Sequence, residues 1–574
     1  MSDKKYVTYE EFGAVGDGVT EDFPAIKAAH DYANEHGLPV IADGSKTYYI
    51  SETRINGKVE IVTIKTDVDW NGAKIIIDDT ELDAWDKTNK HDSDIFRIVS
   101  DYELKTLSRE NEEDAKLLKS LGSVGEKWDT KNIPLNLGYP ALINLFDEDD
   151  RVYKRKGYSS AGGMTKHEVL LLDKEGNIDE STPFMFDYDQ VTKIIIHRID
   201  AKPITVKNAE ITTRASRYST FDYNTKGAFV IKDYFARGLS VSRSYTTVEG
   251  IKHYVENEIT IEENLASNLH YGGSAYGGFF NGSFANEITF KDCILTGRRC
   301  YRTPAGLTNY NGTMGTYDFG AGNVNKIRLI NCIQSNFYVD NTTGVAPTAE
   351  SKPENIVFSM SDAPGTGTRI CWGIGGTNFC KNMEYIGCTL SRFDAHCGLL
   401  NGKIIDCTIN FVAAVGKGTL QIENTKWLSP GTGAVNNSFI YLRDDYGSPW
   451  NGTISIKDCV LENSDGDTNL VFHNYANWYF GYRCYFPNLD IDNLTLTNTK
   501  EGNKLNLFRP NNWADNDIKG ETLDGETKNE NQVVPPKFIT IKNNKAGHVF
   551  SVVRRDFFEN TDFSGCDEGV LKFE

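Results

Sequence analysis

The stretch Cys371–Asn424, CWGIGGTNFCKNMEYIGCTLSRFDAHCGLLNGKIIDCTINFVAAVGKGTLQIEN, carries three short alternating runs: Met383–Cys388, Lys403–Cys407 and Thr419–Asn424. Each ends in Cys or Asn, and each follows a Gly-containing segment. Cys407 lies 19 residues after Cys388, and Asn424 lies 17 after Cys407. One alternating strand in every period of about 20 residues marks a solenoid rather than a set of hairpins. Trp372, Asp394 and His396 sit ahead of these runs. If the coils stack, the segments that carry them stack too and form one groove.

Working outward, the same pattern recurs. Cys293, Cys332, Cys388, Cys407 and Cys459 end apolar runs in the same way (ITFKDC, IRLINC, MEYIGC, KIIDC, ISIKDC). This reads as a ladder of small inward thiols packing a core. The chain has 11 Cys and no CxxC pair, so metal binding or a disulfide framework is disfavoured and a reducing compartment or an intracellularly assembled particle is favoured. Asn208, Asn264, Asn424, Asn493 and Asn543 mark further coils, and an inward amide ladder is expected at that corner. Stacked coils pair in parallel, about 4.8 Å apart.

The 574 residues exceed one ordinary domain, but a solenoid grows without dividing. With 51 Gly and 11% aromatics the composition suits a turn-rich all-β chain. A net charge of −19 disfavours nucleic acid, whose phosphates need clustered Lys and Arg. No apolar leader begins the sequence and no apolar run is long enough to span a membrane. A cytoplasmic location is therefore expected, with a phage particle as the alternative. No cofactor or metal is expected. The order of patterns suggests an N-terminal cap and entry motif (1–60), first coils with an insertion (61–200), the groove-bearing coils (201–500), and C-terminal coils with a cap (501–574). Leu104–Leu121 is read as an inserted surface helix, and Gly122–Thr165 as loop.

Phe12–Phe23 reads FGAVGDGVTEDF, a tight turn at Gly16-Asp17-Gly18 followed by N-cap and first-turn residues, with Pro24 and an Ala/Ile face beyond. This segment resembles the entry motif of the pectate-lyase-like superfamily. The resemblance implies an all-β, right-handed single-stranded parallel β-helix with a short N-terminal capping helix and an inserted, partly helical segment. Asp17 and Asp22 are then turn and cap residues. The motif is shared by lyases, glycosidases, epimerases and phage tailspikes, so it selects a fold and no activity. RRCYRTPAG (Arg298–Gly306) is similar to the Arg/Pro motif of pectate lyases only loosely and has no acidic cluster beside it. The polygalacturonase motifs do not occur here as a set.

Asp318 lies 14 residues before Cys332, Gly375 lies 13 before Cys388, and Asp394 lies 13 before Cys407. Similar offsets predict three successive coils of one face, with glycines opening a pocket between two carboxylates about 9–10 Å apart. That spacing suits an inverting glycosidase. Asp318, between Tyr317 and Phe319, is assigned as general acid. Asp394, near Arg392, is assigned as general base, with His396 two residues on sharing its face and supporting it. Trp372, Tyr276 and Tyr317 offer sugar-stacking surfaces. Arg302 and Arg392 offer cations, as do Arg299 and Lys381. Glu249 and His253 form a runner-up site on a neighbouring coil, and Asp362 sits in a Gly-rich insertion.

Three readings follow. The first is a glycoside hydrolase acting on an oligosaccharide or polysaccharide by two-carboxylate catalysis. The second is a lyase or epimerase on a uronate glycan, which needs a basic groove. The third is a non-enzymatic, tailspike-like glycan-binding protein. A homo-oligomer, dimer or trimer, is compatible with each.

Overall fold

The computed structural model describes residues 4–78, 94–154, 162–214, 222–223, 229–231, 237–256, 259–261, 269–271, 279–295, 299–302, 314–315, 319–334, 338–340, 356–358, 374–429, 438–443, 450–463, 466–473, 484–497, 501–510, 533–544, 547–553 and 555–574. Within these residues the chain winds as a parallel β-helix whose coils cross three sheets. Phe280–Ser283, Phe319–Gly322 and Ile374–Asn378 stack in the first sheet. Asn286–Lys291, Asn325–Ile330 and Lys381–Ile386 stack in the second. Ile294–Leu295 and Ile333–Gln334 stack in the third. Thr389–Ile405 runs through all three without a loop, and its successor Thr408–Glu423 does the same, pairing with it over nearly its whole length.

Alternation places Ile327 and Leu329 in the core and Arg328 outside. Ile288, Ile327 and Met383 occupy one register position on successive coils, so each apolar side chain packs on its counterpart above and below. Each such buried side chain contributes about 1.5–3 kcal/mol relative to exposure.

The corner between the second and third sheets is built on left-handed backbone. Asp292, Asn331, Gly387, Asp406, Asn424 and Asp458 have φ of 54, 52, 64, 55, 46 and 52°. Asn, Asp and Gly adopt this conformation most readily. Their side chains link coil to coil on the outside: Asn331 Nδ2 donates to Asp292 Oδ1 at 3.2 Å, and Asn493 Nδ2 to Asp458 Oδ1 at 2.6 Å. The amide ladder is thus outward, not inward as expected, because the left-handed residue is the corner itself. The following residue points inward, and there Cys293, Cys332, Cys388, Cys407 and Cys459 are buried and unpaired. Thr425, not Asn424, is in line with them, since Cys407 N donates to Thr425 Oγ1. Each thiol faces a carbonyl of the preceding coil, as Cys388 does that of Leu329 at 3.2 Å. A thiol reagent is accordingly expected to leave all five unlabelled in the native protein and to label them in denaturant. Rapid native labelling of all five would contradict the stack.

The helix α1 (Phe23–His36) caps the N-terminal end with Phe23, Ile26, Ala29, His30 and Ala33 buried. Asp22 accepts from Val15 N (2.7 Å) and Tyr49 N (3.2 Å), and Asp17 from Thr20 N (2.8 Å), so both serve the entry turn. Asp22 does not cap α1 through its side chain. At the other end Leu571–Phe573 pairs with Phe550–Val552, and Phe557, Phe558 and Phe563 close the core.

Between Asp94–Val99 and Ile204–Lys207 the chain leaves the coil. Lys105–Ser108, Lys193–Arg198, Ala141–Val152 and Met164–Leu172 form an antiparallel sheet in that order. The helix α2 (Glu112–Leu121), capped by the Asn111 side chain, packs on it over a separate core. Part of the stretch read as loop is therefore the long strand Ala141–Val152, whose two partners lie downstream in the chain.

Candidate functional site

The strand segment after Thr389 turns Arg392, Asp394 and His396 outward because Phe393 and Ala395 take the core positions. Asp394 pairs in register with Ala413, and Ala413 with Tyr441, so Arg443 arrives from two coils above. Arg392 Nη2 lies 2.9 Å from Asp394 Oδ2, and His396 Nδ1 lies 3.8 Å from the same oxygen. Arg443 Nη1 is 3.0 Å from His396 Nδ1.

Burial pushes the Asp394 carboxyl up, but Arg392 beside it, with His396 and Arg443, outweighs this and holds it below the usual carboxylate range. The side chains of Arg392 and Asp394 are 2% and 0% exposed, and His396 is 24% exposed. The expected pairing of Asp394 with a cation is present. The expected open position is not: Asp394 is covered, and only His396 reaches the surface. Arg392 is a buried ion-pair partner rather than a groove cation. Breaking a buried pair is costly, so Asp394→Asn is expected to destabilise the fold by about 3 kcal/mol, read as a lowered denaturation midpoint. A neutral result would place the pair at the surface.

Phe319 pairs with Ile374, and Asn378 with Cys397, on successive coils of the first sheet. Asp318, Tyr317, Trp372, Tyr276 and Asp362 lie outside the described residues. Arg299 and Arg302 fall in the strand Arg299–Arg302, with their side chains outside the description. The runner-up pair is divided. His253 turns into the core, fully buried, where it meets Thr213 Oγ1 at 2.9 Å and stacks on Phe279 at 3.3 Å. Its register partner is the core residue Ile211, so it presents nothing to a groove. Glu249 is on the second sheet, paired to Lys291 Nζ at 2.6 Å.

Lys381, expected to face a groove, is buried beneath the insert. Its Nζ meets Glu168 Oε2 at 2.6 Å and donates to Pro183 O at 2.6 Å. Asn382 Nδ2 donates to Ser181 O, the His167 ring packs tilted against Phe379, and Lys417 pairs with Glu126. These contacts dock the insert on the corner between the first and second sheets.

Beside the docking line lies a cleft of about 640 Å³. Leu171, Asp179 and Ser181 of the insert form one wall, and Tyr245, Glu287, Lys326, Asn382 and Asn401 line the other side. The amides bond along the coils: Asn325 Nδ2 to Asn286 Oδ1 (2.7 Å), Asn382 Nδ2 to Asn325 Oδ1 (2.8 Å), Asn401 Nδ2 to Asn382 Oδ1 (3.3 Å). Charges alternate between strands. Lys326 Nζ is 3.3 Å from Glu287, Arg328 Nε is 3.1 Å from Glu384, and Lys403 Nζ is 3.1 Å from Glu384. Burial raises the Glu384 carboxyl, while Lys403 and Arg328 pull it down and prevail. Burial, then the charges of Glu287 and Asp179, raise the Tyr245 phenol, which therefore stays a protonated donor. Sequence reading missed this cleft, although Glu287, Lys326, Asn382 and Asn401 each stand six residues before a ladder cysteine. Among the described residues no cluster of His, Cys, Asp and Glu could hold a metal ion, and no helix is long and apolar enough to cross a membrane.

No protein-family model matches the chain, and no curated protein matches it. Among solved structures it is similar to the tailspike protein gp49 from Pseudomonas phage LKA1, with 13% identity and a TM-score of 0.44 over 94% of this chain and 80% of that one. It is also similar to the Pseudomonas phage phi297 tailspike gp61, with 10% identity and a TM-score of 0.45 over 94% and 80%. PfbA, a surface adhesin of Streptococcus pneumoniae, matches at 10% identity and a TM-score of 0.33 over 87% and 93%. These are likenesses of overall shape at low identity.

Proposed function

We propose that this protein binds an oligosaccharide, seated in the cleft between the insert and the second sheet of the β-helix. The observation that carries the reading is the cleft itself: an open cleft of mixed polar and apolar surface, with Tyr245 on its wall, an amide ladder and cations already matched to carboxylates. Sugars are bound through dense neutral hydrogen bonding and apolar contact with aromatic rings. Titration against a panel of neutral and uronate oligosaccharides tests it. Saturable binding of at least one is expected, and binding of none overturns the proposal.

A second reading is hydrolysis in the first-sheet groove, with Asp318 as general acid and Asp394, supported by His396, as general base. An ionised Asp394 beside a partly exposed His396 favours it. It requires Asp394 to be uncovered when substrate binds. Mass spectrometry of incubated oligosaccharides separates the cases: new reducing ends indicate hydrolysis, unsaturated ultraviolet-absorbing products indicate elimination, and intact chains leave binding alone.

A further inference from the structure

The corner between the first and second sheets is built differently from the one that carries the cysteines. On four successive coils it has two left-handed positions three residues apart: Phe284 and Glu287, Asn323 and Lys326, Phe379 and Asn382, Gly398 and Asn401. Tyr245 holds the position in register with Glu287 on the coil before, since Thr246 pairs with Ile288. The φ values of Tyr245, Glu287 and Lys326 are 58, 60 and 61°.

The first position touches the insert on three of these coils. His197 stacks on Phe284 with ring centroids 5.2 Å apart, His167 Nε2 lies 3.0 Å from Asn323 Oδ1, and the His167 ring packs at a 37° tilt against Phe379 with centroids 3.8 Å apart. The second position lines the cleft. At the cysteine corner this conformation is held by Asn, Asp or Gly on every coil from Asn208 to Asn543 that the left-handed residues mark. Along the cleft, three coils in succession hold it with Tyr, Glu and Lys. Bulky residues strain that backbone, and such strain persists where the side chain is needed.

We propose that Tyr245, Glu287 and Lys326 are specificity-determining residues of the cleft, and that its ligand is an uncharged glycan segment. This rests on the oligosaccharide-binding function proposed above. Lys326, Arg328 and Lys403 are each ion-paired with Glu287 or Glu384, and Asp179 adds a further carboxylate, so the described lining offers a uronate chain no unmatched cation. What the cleft offers to a ligand is the edge of Tyr245, 37% exposed, with its phenol as donor, and the side chains of the neighbouring corner residues.

The test substitutes the strained positions and reads two quantities. Tyr245→Gly and Lys326→Gly remove the side chain and the strain together. Affinity for a neutral oligosaccharide is expected to fall at least tenfold in Tyr245→Gly and severalfold in Lys326→Gly, while Tm stays level or rises by about 1–2 °C. Tyr245→Asn, which tolerates the same backbone, supplies a second variant should the glycine weaken the fold. Wild-type protein is expected to bind neutral chains at least tenfold more tightly than uronate chains of equal length. Full affinity in the variants overturns the assignment of these residues and leaves the proposed function standing. Preference for the uronate chains overturns the ligand class. Wild-type protein that binds neither overturns the proposed function, and this inference with it.

Discussion

Replacing Lys381 by methionine is expected to lower the unfolding free energy by about 3–5 kcal/mol, the range for removing one partner of a buried ion pair. Methionine keeps much of the stem and removes the charge. Lys381 and Glu168 are 1% and 2% exposed. Burial lowers the Lys381 pKa, with Glu168 opposing it, as expected for an ammonium held by one carboxylate. Glu168 also accepts from Met185 N at 2.8 Å and Phe186 N at 3.0 Å. In the variant its charge remains buried with those two donors and without its cation. Because this pair ties the insert to the coils, limited proteolysis is expected to cut within 105–198 sooner than in wild type, and the cleft wall at Asp179 and Ser181 is expected to loosen. Adding Glu168→Gln is expected to recover part of the loss, with a coupling of about 2 kcal/mol or more in the double-mutant cycle. Lys116, on the exposed face of α2 and 73% exposed, is the control: Lys116→Met is expected to change stability by less than about 0.5 kcal/mol. Equal costs at the two lysines would refute the latch.

The coils were legible because their signal is local. In Met383–Cys388 and Lys403–Cys407 every second side chain faces the core, and the small thiol follows a corner that Gly387 and Asp406 can turn. Asn424 was aligned one place early because Asn and Cys do different work there, the one forming the corner and the other filling the core. Tertiary coverage was not legible. Asp394 and His396 share a face as their spacing requires, but the Arg443 that reaches His396 is 47 residues away. Lys381 looked like any solvated cation because Glu168 is 213 residues upstream. His253 looked like a site residue because nothing near it in sequence announces Phe279 or Thr213. The cleft was missed for a related reason. Left-handed backbone is foreseeable at Asn or Gly and not at Tyr245, Glu287 or Lys326, so its floor became visible only once the coils were stacked.

Stability is expected to fall between pH 7 and pH 5 as buried histidines take up protons: His30 and His197 are shifted furthest, and burial also lowers the His167 pKa. His30 in α1 is fully buried, with Nε2 at 2.9 Å from the Tyr9 hydroxyl, which also accepts from Trp70 Nε1 at 2.8 Å. Burial, with Lys27 nearby, pushes its pKa down to about 3. His197, on the insert, is stacked flat on Phe284, and burial pushes its pKa down to about 4. Both folded values lie below the unfolded value of about 6.5. The unfolded chain therefore binds these protons first, so the stabilisation is complete above that value and is lost as pH falls toward the folded ones. At pH 5 each site contributes a loss of about 2 kcal/mol relative to pH 8, from roughly 1.5 units at 1.36 kcal/mol per unit. Asp394, held down by Arg392, stays ionised across this range and adds no slope. Denaturant midpoints measured from pH 8 to pH 5 are expected to decline accordingly. His197→Phe, which keeps the ring against Phe284 and removes the titrating group, is expected to reduce the decline without abolishing it, since His30 and His167 remain. A flat profile in wild type would mean that none of these rings is buried neutral. An unchanged slope in His197→Phe would mean that the insert's contact with Phe284 does not contribute to the acid response.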